Sequence, residues 1–194
     1  MFTRLVASFM TTIAFLGSSS LFAEDKPEAK PETKKVDSPD FKNWNKFKVG
    51  TYVTVMSTTE VGEKKTEQKM WYTLKTLGDE SATVENEIAQ PENVKFKAPP
   101  TSREFAKTVE ADAKSEADAK AGKPSGTTDE GTETLKVGDK EFKCTWYKFR
   151  INTTSGPING QLWVSDEVPG RMVKMKSASR SATTTAEVTE IVKK

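Results

Sequence analysis

Glu141-Phe-Lys-Cys-Thr-Trp-Tyr-Lys-Phe-Arg-Ile151 is the stretch that decides the fold. It is rich in aromatic and β-branched residues, alternates apolar with polar positions, and places Phe142, Cys144 and Trp146 on one face of a strand. Tyr147, Phe149 and Ile151 then supply a second apolar face. A strand apolar on both faces belongs to a sheet that is covered on both sides. Immediately upstream, Gly138-Asp139-Lys140 is short enough for a hairpin turn, which makes Glu133 to Val137 an antiparallel neighbour.

The same texture extends in both directions. Strands are predicted at Thr51 to Thr58, Thr66 to Leu77, Ala82 to Ala89, Val94 to Lys97, Glu133 to Val137, Glu141 to Ile151, Gln161 to Ser165, Met172 to Ser177 and Thr183 to Val192. Gly78-Asp79-Glu80 provides another hairpin turn. Tyr52-Val53, Val55-Met56 and Met70-Trp71-Tyr72 repeat the two-faced pattern. The expected fold is mainly β (α+β): a curved antiparallel meander of about eight or nine strands, with helices over its concave side or closed into a barrel.

Two helices accompany the strands. Ser38-Pro39 is a helix N-cap and first-turn signal, followed by Phe41, Trp44 and Phe47 three residues apart, so a short N-terminal helix lays aromatics on the sheet. Between Ala98 and Thr132 the β pattern stops. Pro99-Pro100 ends a strand, and Ser102 to Ala121 is rich in Ala, Lys, Glu and Asp, which predicts one weakly docked inserted helix, a lid or a passive insertion. Gly122 to Gly131, with three glycines and Pro124, reads as a mobile loop.

The N-terminus reads as a targeting segment. Met1 to Arg4, the apolar run Leu5 to Gly17 and the small-residue tail Ser18 to Ala23 have the three-part plan of a cleavable signal peptide. The apolar run falls short of the roughly 20 residues that span a bilayer. Cleavage is expected after Ala23, or after Ser20, giving residues 1–23 as leader, 24–38 as a disordered charged linker and 39–194 as one β-rich domain. The expected destination is secreted or periplasmic, with no membrane span after cleavage.

Composition excludes much chemistry. The chain has 30 Lys and Arg against 28 Asp and Glu, and no histidine. Ser-His-Asp and Cys-His nucleophiles and the common zinc sites are absent together. Cys144 is the single cysteine, so no intramolecular disulfide forms, and the expected state is a buried, inert thiol. No Ser-x-x-Lys and no phosphate-cradling glycine loop occurs. Mixed charge without a basic patch argues against nucleic acid. No cofactor, metal or catalytic residue is expected, a carboxylate-based hydrolase being the least favoured reading. The sequence specifies no oligomeric state.

Phe41-x-x-Trp44-x-x-Phe47-x-x-Gly50-Thr51-Tyr52-Val53 and Leu162-Trp163-Val164-Ser165-Asp166-Glu167-Val168-Pro169-Gly170-x-Met172-Val173-Lys174 resemble stretches of small exported bacterial proteins of a planctomycete type, which have no assigned activity. The architecture has a looser similarity to periplasmic lipoprotein carriers. That similarity is one of architecture and does not establish function. The two-faced apolar pattern itself points to a non-enzymatic envelope protein with an apolar or lipidic ligand in its sheet; the alternative is a protein-interaction or structural module of the envelope, with an envelope protein as partner. Trp71, Trp146 and Trp163 are the candidate lining residues, under the 102–121 segment. Locally, Val168-Pro169-Gly170-Arg171 suits a type II turn, with Gly170 at the φ > 0 position.

Overall fold

The computed structural model describes residues 33–90, 99–112 and 115–194. The leader, linker residues 24–32 and the expected strand at Val94 to Lys97 lie outside the described residues. Eleven strands and two short helices follow in the order β1 (Thr33–Asp37), α1 (Pro39–Trp44), β2 (Tyr52–Val61), β3 (Lys64–Leu77), β4 (Ser81–Ile88), β5 (Thr101–Ala106), β6 (Thr108–Asp112), α2 (Glu116–Ala121), β7 (Thr127–Val137), β8 (Lys140–Thr153), β9 (Gly156–Val164), β10 (Met172–Ala178) and β11 (Thr183–Val192).

Nine strands form one open antiparallel sheet in the order β5-β4-β3-β2-β11-β10-β9-β8-β7. It is two meanders, β2 to β5 and β7 to β11, zipped together where β11 pairs with β2. The last strand of the chain therefore lies in the middle of the sheet, with Val188 opposite Val55 and Ile191 opposite Val53. The sheet is strongly bent: Cα atoms of β11 and β7 approach within 8 Å, although four strand spacings, about 19 Å when flat, separate them. Part of the irregularity is local. Between β9 and β10 the register shifts at Met172/Lys174, leaving Val173 as an extra residue that is fully buried.

Three expectations are corrected here. The end of the charged linker is a strand, because β1 pairs with β6, Val36 faces Val109, and the Ser38 N–H donates to the Lys107 carbonyl at 2.8 Å. The single inserted helix over Ser102 to Ala121 is instead β5, β6 and the short α2. Phe105 lies opposite Ala82 and packs with Phe41, Trp44 and Leu74, and this burial with the β4 ladder outweighs local helix propensity. Finally, β7 starts at Thr127, inside the expected loop. Its Gly131 sits opposite Trp146, whose indole covers the space a Cβ would take.

The stretch from β5 to β7 has a topological task. β5 and β7 are the two edges of the sheet, so residues 107–126 carry the chain from one edge to the other across a face. On the way they meet α1 and the β9–β10 connection: the Arg171 guanidinium donates through Nη2 to the Ala121 carbonyl at 3.1 Å and through Nε to Asp166 Oδ1 at 3.1 Å.

Two buried apolar clusters result. The larger contains Val53, Val55, Val188, Val173, Val168, Trp163, Cys144, Phe142 and Val137. The smaller places Phe41 and Trp44 of α1 on Leu74, Ala82 and Val84. Tyr72 packs against both.

Candidate functional site

α1 is positioned by the caps the sequence announces. Ser38 Oγ accepts the Phe41 N–H at 3.2 Å and Pro39 opens the first turn. That start fixes which residues face the sheet. Phe41, Asn43 and Trp44 are buried. Asn43 bridges to the β9–β10 connection: its Nδ2 donates to the Asp166 carbonyl at 3.0 Å and its Oδ1 accepts the Gly170 N–H at 2.7 Å. The type II turn is present, with the Arg171 N–H bonded to the Val168 carbonyl at 2.8 Å and Gly170 at φ 77°. The motif that carried the resemblance is therefore the clasp that joins α1, α2 and the sheet.

Two buried polar atoms, Trp44 Nε1 and Asn86 Oδ1, have no hydrogen-bond partner among the described residues. Asn86 stands directly opposite Tyr72, whose hydroxyl donates only to the Met70 thioether, at 3.7 Å. Burial pushes the Tyr72 hydroxyl up and the Asp40 carboxyl up, with Arg103 opposing both and Arg171 opposing the second. Arg103 lies opposite Val84 on β5 and stacks over Phe105 at 4.8 Å. Tyr72, which packs on both apolar clusters, therefore has the polar Asn86 as its cross-strand neighbour, and Arg103 acts on both Tyr72 and Asp40 through its charge. Buried polar atoms without partners are uncommon in folded proteins and mark places where a further molecule completes the hydrogen bonding.

The three tryptophans expected to line a site are not gathered in one place. Trp146 and Trp163 are direct cross-strand partners on β8 and β9. Trp163 is in the core, its Nε1 donating to Glu133 Oε1, while Trp146 packs on the same cluster with the Lys148 ammonium 5.1 Å above its ring. Trp71 alternates with Met70 and Tyr72 and so lies on the opposite face, where it lines an open depression of about 260 Å³ with Tyr52, Thr73 and Glu87. A second concavity of about 350 Å³ lies among Lys34, Lys35, Val36, Asp37, Lys42, Glu116 and Lys120. Neither lies over the Tyr72–Asn86 pair.

Cys144 is 2 % exposed, its Sγ directed at the Phe142 carbonyl at 3.4 Å, and burial pushes its thiol pKa up. A thiol that resists ionisation is a poor nucleophile. Among the described residues no group of three or more His, Cys, Asp or Glu side chains converges to hold a metal ion, and no helix is long and apolar enough to cross a membrane.

Sequence reasoning did not single out Asn86, Asp40 or Arg103. A lone Asn within Val84-Glu-Asn-Glu-Ile88 has the look of a solvated strand position, and only its opposition to Tyr72 reveals otherwise.

No protein-family model matches the chain, and no curated protein matches it. Solved structures do. A Bacteroides fragilis protein named as exported and as having a YmcC-like fold matches at 12 % identity over 76 % of this chain and 97 % of that one, with a TM-score of 0.47. LprF from Mycobacterium bovis matches at 11 % identity over 80 % and 94 %, with a TM-score of 0.36. A DUF1329 family protein from Desulfovibrio piger matches at 6 % identity over 79 % and 91 %, with a TM-score of 0.33.

Proposed function

We propose that the protein is an exported, non-enzymatic binding protein of the cell envelope that takes an amphiphilic, lipid-like ligand between its sheet and the α1 cover. The observation that carries this reading is Asn86 Oδ1, buried and without a partner among the described residues, directly opposite Tyr72, which packs on both apolar clusters. An amphiphile suits this place: its chain packs on Leu74, Val84 and Tyr72, while its polar head donates to Asn86 Oδ1. Entry requires α1 to lift, and α1 is only six residues long and held at its far end by the Asn43 clasp. Lifting so short an element is a local opening rather than global unfolding.

The absence of histidine and the buried, ionisation-resistant Cys144 support a non-enzymatic role. Trp146 and Trp163 belong in this proposal as neighbours of the larger cluster, and Trp71 lines a separate open depression.

Mass spectrometry of protein purified natively from its own envelope tests the reading. Retained lipid, lost on Asn86→Leu, is the expected result. Ligand-free protein that also fails to take up a fatty acid or phospholipid in solution overturns it and leaves the protein-interaction module as the better description.

A further inference from the structure

Lys107 is the point at which the chain leaves the large sheet. Its N–H donates to the Glu80 carbonyl at 2.7 Å, its carbonyl accepts the Ser38 N–H at 2.8 Å, and its ammonium pairs with the Glu80 carboxylate at 3.0 Å. Beyond it, β6 pairs with β1 in a two-stranded sheet that shares no ladder with the other nine strands. Register puts Val36, Val109 and Ala111 on one face of this pair. Val36 and Ala111 are buried, yet they belong to neither apolar cluster described above. α2 packs back on β1 and β6 and buries none of its own residues. Where β1 and α2 face Lys42 of α1, packing leaves the concavity of about 350 Å³. The Lys42–Asp37 ion pair across it is exposed at both ends and contributes little. After α2, Gly122 and Gly126, at φ 66° and 74°, flank Pro124 and return the chain to β7, where Lys123 pairs with Glu130 at 2.8 Å.

Between these two roots, one side chain of the β9–β10 connection holds α2 down. The Arg171 guanidinium donates to the Ala121 carbonyl, which ends α2, and lies so close to Gly122 that a Cβ there would collide with it and with Pro39 of α1. Arg171 is also the one non-glycine residue at positive φ among those described, 64°, a conformation that persists only where its surroundings enforce it. We propose that β1, β6 and α2 form a strap that opens as one unit from the intact nine-stranded sheet, turning on Ser38–Lys107 at one root and on Gly122–Gly126 at the other, with Arg171 as its latch. A two-stranded ribbon is marginally stable by itself. The closed strap therefore depends on its few bonds to the remainder, and opening it costs far less than unfolding the sheet. Tyr147 and Phe149, buried on one face of β8, lie beneath: Lys123 and Arg171 are near enough to Tyr147 for their charges to act on it. α1 stays seated through Phe41 and Trp44 on Leu74, Ala82 and Val84. The movement is distinct from a lifting of α1, so this proposal and the lipid-binding reading stand or fall separately.

Native-state hydrogen exchange of the full chain, read by mass spectrometry at a series of urea concentrations below the unfolding transition, tests this. In the wild type the amides of β1 and β6 are expected to exchange together, about tenfold or more faster than those of β2 and β11, and with little dependence on urea, because a local opening exposes little surface. Arg171→Ala removes the latch. It is expected to speed β1 and β6 by a further factor of about ten, the effect of losing one hydrogen bond from a charged donor, while α1, β2 and β11 change less. Gly122→Ala displaces the guanidinium from the other side and is expected to act in the same direction. Amides of β1 and β6 that exchange at unrelated rates, or no faster than β2 and β11, or with the same urea dependence as those strands, overturn the proposal. So does a pair of variants that speeds every strand equally, since Arg171 then supports the whole fold, or that leaves β1 and β6 unchanged.

Discussion

Asn43 Oδ1 accepts the backbone N–H of Gly170 across 127 residues of sequence, at 2.7 Å, and this one contact ties the first helix to the turn between β9 and β10. The same side chain donates to the Asp166 carbonyl, so Asn43, 1 % exposed, is satisfied at both ends. Asn43→Ala strands a buried N–H and a carbonyl and is predicted to cost about 2–3 kcal/mol. Asn43→Asp keeps the acceptor but loses the donor and is expected to fall between the two. Chemical denaturation of both variants checks this; an Asn43→Ala midpoint within error of wild type would show that water replaces the clasp.

Gly170 carries two constraints at once. Its φ of 77° is in the left-handed region, and a Cβ there would lie 3.1 Å from the Trp44 ring. Gly170→Val is therefore predicted to destabilise by at least about 1–2 kcal/mol, more than Gly170→Ala, since a β-branched residue tolerates positive φ least and brings more bulk against the indole. Arg171, also at positive φ (64°), offers a contrast: Arg171→Gly relieves strain but removes the bonds to Asp166 and Ala121. Its melting temperature should fall less than that of Arg171→Ala, and the reverse order would sink the strain argument.

Cys144 is predicted to react slowly with thiol reagents in the folded protein and rapidly in denaturant, because its Sγ is buried and its ionisation is opposed by burial. Cys144→Ser should cost roughly 1–3 kcal/mol through a buried hydroxyl. Labelling at equal rates in native and denatured protein would contradict the assignment.

Where residues announce their own surroundings, the fold was legible. Val, Thr and aromatic residues in alternation marked the central strands, Ser38-Pro39 marked the cap of α1, and Pro169-Gly170 marked a turn whose geometry is now visible. What escaped detection depended on partners distant in sequence. β1 has Val36 as its one buried residue among charged neighbours, so only the ladder to β6 defines it. β5 and β6 fall in the 102–121 stretch, whose Ala, Lys and Glu favour helix until Phe105 is given Ala82 and Leu74 to pack against. The site was less legible still. A strand pattern predicts which residues share a face, but not that Asn86 would lie opposite Tyr72 with its Oδ1 buried and unpartnered among the described residues. The three tryptophans were visible as large rings, and alternation alone was enough to place Trp71 on the other side of β3 from Tyr72.

Asp40 provides the last prediction, a dependence of stability on pH. Burial raises its folded-state pKa above the usual carboxylate range, Arg171 and Arg103 only partly opposing the shift, and among the described residues no side chain donates a hydrogen bond to it. The folded protein therefore binds the Asp40 proton more tightly than the unfolded chain does. Below the unfolded pKa the group is protonated in both states and costs nothing; as pH rises through the folded pKa the ionised form must be kept buried, and stability is lost. This runs against the usual carboxylate, whose pairing favours the folded state above pH 4. Asp40→Asn removes the charge and retains the shape, so its melting temperature should exceed that of wild type at pH 7 and the difference should vanish toward pH 3. A variant less stable than wild type at pH 7 would mean that the Asp40 anion is held by Arg171 or Arg103 more firmly than burial opposes it.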